Sequence, residues 1–288
     1  MIGKKNLYIV DALAIAHKCY WAFKDLKTKD GRQTGVVYGT SMFLRSLINT
    51  YRPDYLVVCA DTGKPTFRHL MYTEYKANRK EKDPELLEQL PDFFKLFDLL
   101  GIPLLSLDGQ EADDVIGSLV KSDQVKDLQQ FIVSHDKDFM QLVNDSVHLF
   151  RPLKYPEVEI LDPEGVLSKI GLRPDQIIDY LAIVGDAADN IPGVKGVGPK
   201  GAEKLLQSYQ TLNGVYANLV NIQSKSTQEK LAKSAASAAI SKKLATINTS
   251  IDIDSMWTLQ DSIASIDSFS KPEVVEFFNS LEFQEMET

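Results

Sequence analysis

The chain has 288 residues, of which 44% are hydrophobic, so it can fill a substantial core as an ordinary globular protein. No apolar run approaches the about 18 residues of a membrane span, and the apolar stretch near the N-terminus ends at Asp11. Neither a span nor a secretory signal is expected, which favours a cytoplasmic location. The net charge of −8 argues against a nucleic-acid partner unless basic residues cluster. The two cysteines, Cys19 and Cys59, are too few and too far apart in sequence to form a disulfide framework.

Apolar runs that are typical of buried strands alternate with helical patterns in the first half of the chain. The strands are predicted at residues 7–11, 55–61, 102–107, 131–136 and 147–150. Helix-length segments such as 36–51 and 92–100 separate these runs, which indicates a parallel sheet covered by helices. The predicted fold class is therefore α/β, with a central, mostly parallel sheet flanked by helices.

Acidic residues follow the predicted strands. Asp11, Asp61 and Asp136 each end an apolar run, and ligands of open α/β sheets bind at the carboxyl ends of strands, so we expect them on one rim. Further candidates are closely spaced: Glu111, Asp113, Asp114, Asp138, Asp186 and Asp189. Oxygen ligands without a His or Cys cluster favour Mg²⁺ or Mn²⁺ over zinc. Each pair alone also fits a helix cap, but the whole set predicts a site for several metal ions.

A basic segment at residues 64–82 mixes aromatic rings with Lys and Arg. Its basic residues are Lys64, Arg68, Lys76, Arg79, Lys80 and Lys82, and its rings include Phe67, Tyr72 and Tyr75. Such a segment can follow a single nucleic-acid strand by charge and stacking, and by itself it also fits a solvated helix face. A second lysine-rich stretch lies at 225–243, so the acidic chain carries basic islands.

The chain after about residue 165 is predicted to be helical. Helices are expected at 174–184, 228–248 and 271–283. An α/β region at 1–175 and a helical region at 176–288 are therefore predicted, with the last helix packing back on the body of the protein.

Residues 191–206 predict a helix-hairpin-helix. Gly196 and Gly198 permit a tight turn with outward amides, and Pro199 suits the first turn of the next helix, so N–H groups and the positive dipole end would meet a phosphate. The basic residues here are Lys195, Lys200 and Lys204. Such contacts hold a nucleic-acid backbone without reading bases. A plain helical turn is the alternative interpretation of this segment.

These motifs stand together in an order that is typical of one family. They are IVDA at Asp11, ADTGKPTFRH from Asp61, YKANR from Tyr75, GQEADD, SHDKD, GDAADN and IPGVKGVGPKGA. Over nearly its whole length the chain resembles the 5′-nuclease (flap endonuclease) domain of bacterial DNA polymerase I and, more distantly, phage and eukaryotic flap endonucleases. The resemblance implies a PIN-like catalytic core at 1–175 that includes a basic helical arch at 64–92. It also implies a helical DNA-binding region at 176–288, with the helix-hairpin-helix at 191–206 and C-terminal helices that pack back on the core.

The resemblance also implies roles for single residues. Metal ligation is implied for Asp11, Asp61, Glu111, Asp113, Asp114, Asp136, Asp138, Asp186 and Asp189. Phosphate or leaving-group stabilisation is implied for Arg68 and Lys76, and DNA contact for Tyr75 and Arg79. Duplex binding is implied for the hairpin through Lys195, Gly196, Gly198 and Lys200, with K⁺ held by its carbonyls.

Three positions depart from the family pattern. Ala12 stands where the family usually has glycine, and Lys18 where it has arginine. Lysine keeps the charge but lacks the bidentate fork, so we expect weaker phosphate binding at Lys18. His135 replaces a usually small residue beside Asp136, which leaves open a pH-dependent perturbation of the site.

The implied activity is hydrolysis of DNA at 5′ flaps and 5′ ends by two or more Mg²⁺ ions, for which Mn²⁺ can substitute. The implied setting is replication, including processing of RNA primers in RNA/DNA hybrids, and repair. A monomer is expected, either fused to DNA polymerase I or acting with it. The alternatives are a non-catalytic DNA-junction binder, which the complete carboxylate set disfavours, and a PIN-type ribonuclease, which the hairpin disfavours.

Overall fold

The computed structural model describes residues 4–79, 81, 83–154 and 157–283. The strands are β1 (Asn6–Asp11), β2 (Tyr55–Cys59), β3 (Leu104–Leu105), β4 (Gln129–Val133), β5 (Val147–Pro152) and β6 (Val158–Leu161). The α-helices are α1 (Ala12–Ala22), α2 (Gly35–Tyr51), α3 (Phe67–Met71), α4 (Pro84–Leu100), α5 (Ala112–Leu119), α6 (Pro163–Ile170), α7 (Ile177–Val184), α8 (Pro199–Tyr209), α9 (Leu212–Ala217), α10 (Lys225–Lys233), α11 (Ala235–Ala245) and α12 (Pro272–Ser280). Among these described residues, every helix is too short or too polar to cross a membrane.

The chain divides into two compact units, each built from segments that are distant in sequence. The first unit comprises the described residues of Met1–Thr62, Glu81–His135 and Thr249–Thr288. The second unit comprises those of Gly63–Lys80 and Asp136–Asn248. The predicted division at residue 175 follows sequence order, whereas these units interleave.

A parallel sheet forms the centre of the first unit. β1 pairs with β2 on one side and with β4 on the other, and β2 pairs with β3. Leu7 and Ile9 of β1 are fully buried because helices cover both faces of a parallel sheet. The predicted α/β fold class, with a mostly parallel sheet flanked by helices, is confirmed.

The second unit combines an antiparallel strand pair with a helical core. In the pair, Phe150 of β5 lies opposite Ile160 of β6. The helices pack around an apolar cluster whose fully buried members include Leu172, Ile183, Leu206 and Leu231. This cluster anchors α7, α8 and α10, and α7 also packs against α11.

Several element bounds differ from the predictions. β4 ends at Val133, so Asp136 is not at a strand end and instead caps a 3₁₀ turn at Lys137–Leu142. β3 is only Leu104–Leu105, and the half-exposed strand β6 was not predicted. The predicted helix at 228–248 is divided into α10 and α11 at Ser234.

The predicted arch is not a continuous helix in the described residues. α3 ends at Met71 and turns follow it as far as Asn78. Lys80 and Lys82 lie outside the described residues. α4 begins at Pro84, earlier than the predicted residue 92, because Asp83 caps it by accepting from Glu85 N at 3.1 Å.

Candidate active site

Acidic side chains follow β1 and β2 in the first unit. Asp11 ends β1 and caps α1: its Oδ1 accepts from Ala14 N at 3.2 Å, and its Oδ2 accepts from Ser134 Oγ at 2.8 Å. Asp61 Oδ1 accepts from Ala112 N at 2.8 Å. Because β1 and β2 are neighbouring parallel strands, their carboxyl ends lie at the same edge of the sheet. Asp11 and Asp61 lie at or just after these ends.

Glu111, Asp113 and Asp114 lie at the N-terminus of α5. Asp114 is fully buried, Glu111 is nearly so, and Asp113 is half-buried. Glu111 N donates to Asp114 Oδ2 at 3.2 Å, and the two residues form a capping box. The N–H groups and dipole of the helix end stabilise this concentration of negative charge.

Asp136 and Asp138 flank Lys137 at the start of the 3₁₀ turn in the second unit. Asp138 N donates to Asp136 Oδ1 at 2.9 Å. Within the described residues, the buried Oδ1 of Asp138 has no hydrogen-bond partner. Burial, and then the charge of Asp136, raise the pKa of Asp138 well above its usual range. A buried carboxylate oxygen without a donor favours a bound cation or a proton.

A closed loop carries Asp186 and Asp189. Two backbone hydrogen bonds join its ends, from Asp186 N to Ile191 O at 3.0 Å and from Ile191 N to Asp186 O at 2.8 Å. Gly185 and Gly193, with φ of 75° and 60°, flank the loop. A Cβ on Gly193 would lie 2.5 Å from Gly185 N, so only glycine fits there.

Groups of the YKANR motif surround Asp189. Tyr75 Oη donates to Asp189 Oδ2 at 3.2 Å, and Lys76 Nζ lies 3.7 Å from the same oxygen. Arg79 Nε donates to Asp189 Oδ1 at 3.1 Å, and Arg79 Nη2 contacts that atom as well. Lys76 N also donates to Asp189 O at 2.9 Å. The YKANR and GDAADN motifs are thus joined within the second unit.

Lys137 pairs with Asp186. Its Nζ donates to Asp186 Oδ2 at 2.6 Å. Burial alone would raise the pKa of Asp186, but the hydrogen bond and charge of Lys137 outweigh it and the pKa is lowered. Burial likewise opposes the charge of Lys137, yet the bond to Asp186 leaves the pKa of Lys137 raised. The pair therefore stabilises both charged forms.

The nine candidate ligands are all carboxylates, a donor set that fits a hard divalent cation. Across residues 4–79, 81, 83–154 and 157–283, no group of three or more His, Cys, Asp or Glu side chains is gathered as around a metal ion. In the second unit, Lys76 and Arg79 pair with Asp189, and Lys137 pairs with Asp186. The unsatisfied Oδ1 of Asp138 is the observation that fits a cation.

The other predicted phosphate-binding and DNA-binding residues have different surroundings. Lys18 is half-buried on α1, and burial lowers its pKa. Arg68 is only 2% exposed and donates through Nε to Leu244 O at 2.8 Å and through Nη2 to Thr246 O at 2.9 Å. Arg68 therefore holds the C-terminal end of α11. Its contact with a phosphate, like that of the buried Tyr75 with DNA, stays a prediction.

The hairpin at 191–206 has the predicted turn. Gly196 adopts φ of 82° and Pro199 begins α8. Gly198 caps that helix with an ordinary φ of −90°, so only Gly196 of the two needs the freedom of glycine. Lys195 and Lys200 are exposed. The duplex-binding role of these residues stays a prediction.

Three contributing residues were not singled out from the sequence. Ser134 bonds to Asp11, Lys137 pairs with Asp186, and Asn190 Nδ2 donates to Glu74 O at 2.7 Å. Each of the three lies within or next to a recognised motif. Their positions beside the acidic residues could therefore have identified them from the sequence.

Two family models together cover most of the chain. The model described as the 5′-3′ exonuclease N-terminal resolvase-like domain matches residues 6–171, and the model described as the 5′-3′ exonuclease C-terminal SAM fold matches residues 172–266.

Similar proteins agree with these matches. DNA polymerase I of Bacillus subtilis is 36% identical over 98% of this chain, which spans only 32% of that protein. The 5′-3′ exonuclease of Aquifex aeolicus is 37% identical over 87% of this chain and 84% of its own length. A bacteriophage T5 flap endonuclease, solved as a pseudo-enzyme-product complex with DNA and metal ions, has a TM-score of 0.72 at 22% identity, covering 97% of this chain and 98% of that one. That last likeness establishes the fold.

Proposed function

Because the chain belongs to the 5′-3′ exonuclease family, we propose that it hydrolyses DNA phosphodiester bonds at 5′ flaps and 5′ ends with the help of metal ions. The cut would lie near the junction and leave a 5′-phosphate and a 3′-hydroxyl. The observation that carries the proposal is the buried Oδ1 of Asp138 in the second unit, which lacks a hydrogen-bond partner within the described residues.

Mg²⁺ is the proposed metal, with Mn²⁺ as a substitute, because the candidate ligands are all carboxylate oxygens. The proposed ligands are Asp11, Asp61, Glu111, Asp113 and Asp114 in the first unit and Asp136, Asp138, Asp186 and Asp189 in the second. Metal ions bound to such ligands activate a water, hold the scissile phosphate and stabilise the leaving oxygen.

We propose that Lys76 and Arg79 exchange partners when substrate and metal bind. In this structure both contact Asp189, and Arg79 is half-exposed. A divalent cation at Asp189 would displace them by like-charge repulsion. Both cations would then be available to a substrate phosphate, where Arg79 could bind two oxygens with its planar guanidinium group.

The duplex is assigned to the hairpin. Lys195 and Lys200 are exposed beside the turn at Gly196, and α8 begins there with its positive dipole end. K⁺ held by hairpin carbonyls, which the resemblance implies, stays a prediction. Such contacts supply affinity for any sequence and weaken with salt.

The biological setting is proposed from the relatives. This chain spans about a third of the length of its DNA polymerase I relatives, so we propose that it acts with such a polymerase or as part of one. RNA primers in RNA/DNA hybrids are then natural substrates beside DNA flaps. We propose a monomer that works in the cytoplasm.

The test compares a labelled DNA flap, the same flap made of RNA, and a plain duplex in Mg²⁺, Mn²⁺, Ca²⁺ or EDTA. We expect cleavage of the DNA flap in Mg²⁺ and in Mn²⁺, and binding without cleavage in Ca²⁺, whose geometry suits the chemistry poorly. Junction binding without cleavage in Mg²⁺ or Mn²⁺ would show a non-catalytic binder instead. Preferential cleavage of the RNA flap would show a ribonuclease.

A further inference from the structure

The hairpin turn offers several backbone donors to solvent. Among the described residues, the N–H groups of Lys195, Gly196 and Gly198 donate to no protein group, while Val197 N bonds to Val194 O at 3.0 Å. Outward N–H groups in a turn form a concave site for an anion. The carbonyl of Gly196 has the opposite effect from these N–H groups, because its partial negative charge would repel an anion at the same turn.

A lysine from another helix covers this carbonyl. Lys230 Nζ donates to Gly196 O at 3.1 Å. Its side chain also packs on the turn, since a Cβ at Gly196 would lie 3.1 Å from Lys230 Cε. The glycine at 196 is thus required by its φ of 82° and by the approach of Lys230.

The helix that carries Lys230 is firmly placed. Its next residue, Leu231, is fully buried in the core of the second unit, and Leu231 O accepts from Tyr216 Oη at 3.2 Å. Lys233 lies on the same helix but is exposed and makes no hydrogen bond or ion pair within the described residues. The ammonium of Lys230 is therefore held at the hairpin, whereas that of Lys233 is not.

We propose that Lys230 is a duplex-binding residue of the hairpin, an inference that rests on the proposed function. Its ammonium has three donors, so the bond to Gly196 O leaves others for a phosphate oxygen. Lys230 also supplies, from within the chain, the charge that a K⁺ ion at a hairpin carbonyl would supply. Duplex binding by the wild-type protein should therefore be indifferent to exchange of KCl for NaCl.

The experiment measures the affinity of the full chain for a blunt DNA duplex in EDTA by fluorescence anisotropy over a series of salt concentrations. Lys230→Met should weaken binding about three- to tenfold and reduce the slope of log K against log salt by about 1, as loss of one phosphate contact does. Lys230→Arg should recover most of the affinity. The control Lys233→Met should change the affinity by less than about twofold, since an unheld lysine contributes little.

Each outcome separates the inference from the proposed function. Equal affinity and equal salt slope for wild type and Lys230→Met would overturn the role of Lys230 while leaving duplex binding by the protein intact. A wild-type affinity that falls when NaCl replaces KCl would overturn the claim that Lys230 takes the place of K⁺. Absence of duplex binding by the wild type would overturn both the inference and the hairpin assignment. Unchanged thermal unfolding of Lys230→Met and Lys230→Arg verifies the fold.

Discussion

The acidic residues of the two units are stabilised in different ways. In the first unit, Asp61 and Asp114 accept backbone N–H groups, and Asp11 accepts an N–H group and a hydroxyl group. In the second unit, Asp186 and Asp189 contact the side-chain cations Lys137, Lys76 and Arg79. Dipolar groups hold a carboxylate in place and leave its net charge, whereas ion pairs cancel it.

This difference predicts how each unit would bind a metal ion. In the first unit, backbone N–H groups and the Ser134 hydroxyl already orient the carboxylates, as contacts behind a metal ligand do. In the second unit a divalent cation must displace a lysine or an arginine. Metal affinity and substrate phosphate binding should therefore be coupled through the second unit, because each ligand competes for one member of the same ion pairs.

The largest expected effect comes from removing a second-unit carboxylate. Asp189→Ala should lower flap cleavage by at least about a thousandfold, since a catalytic metal supplies several kcal/mol of transition-state stabilisation. Duplex affinity should change little. Single-turnover kinetics and anisotropy on the same flap measure both, and the exposed Asp145→Ala provides the matched control. Unchanged turnover of Asp189→Ala in saturating Mg²⁺ contradicts the assignment.

A smaller effect, on stability, is expected in the first unit. Asp114→Ala removes the acceptor for Glu111 N and should lower the free energy of unfolding by about 1–2 kcal/mol, as loss of a helix cap does. Asp114→Asn keeps an acceptor and should retain most of the stability while losing a metal ligand. Urea unfolding in EDTA measures the difference. Equal losses for the two variants would mean that charge, and not the hydrogen bond, stabilises this helix end.

The competition in the second unit predicts a gain of metal affinity. Lys137→Met removes the cation from Asp186 and should tighten Ca²⁺ binding about two- to fivefold, which corresponds to about 0.5–1 kcal/mol for a partly exposed ion pair. Calorimetric titration measures the affinity. Lys126→Met, which breaks an exposed pair with Asp123, is the control and should leave it unchanged. Weaker Ca²⁺ binding by Lys137→Met would refute the competition.

The smallest expected effect is a change in how the free energy of unfolding depends on pH. The raised pKa of Asp138 means that the folded, metal-free protein binds more protons than the unfolded chain between the ordinary value of 3.8 and the raised one. Stability should therefore fall as pH rises through that range. Asp138→Asn should remove this fall and raise the free energy of unfolding at neutral pH. Parallel pH profiles for the two proteins in EDTA would show that Asp138 is not desolvated.

Local patterns in the sequence predicted much of the fold. The apolar run ending at Asp11 predicted β1, because a strand in the middle of a parallel sheet is buried on both faces. The Gly and Pro spacing predicted the turn at Gly196 and the start of α8, because both residues have strong backbone preferences.

Contacts between distant segments could not be predicted in this way. Arg68 was predicted as part of a basic segment, but its guanidinium is buried against the carbonyls of residues 244 and 246. The residues beside Arg68 in the sequence give no information about this contact. Arg79 and Asp189 lie in separate motifs whose pairing depends on tertiary packing. The strand β6 is half-exposed, so it lacks the continuous apolar run that revealed the buried strands.

The most direct test of the account is the single-turnover rate of 5′-flap cleavage by the wild-type chain as a function of Mg²⁺ concentration, with DNA bound beforehand. We predict a rate that rises to saturation with Mg²⁺, returns to background in EDTA, and yields one main product cut near the junction. A bound flap that stays intact at every concentration of Mg²⁺ and of Mn²⁺ would contradict the proposed nuclease.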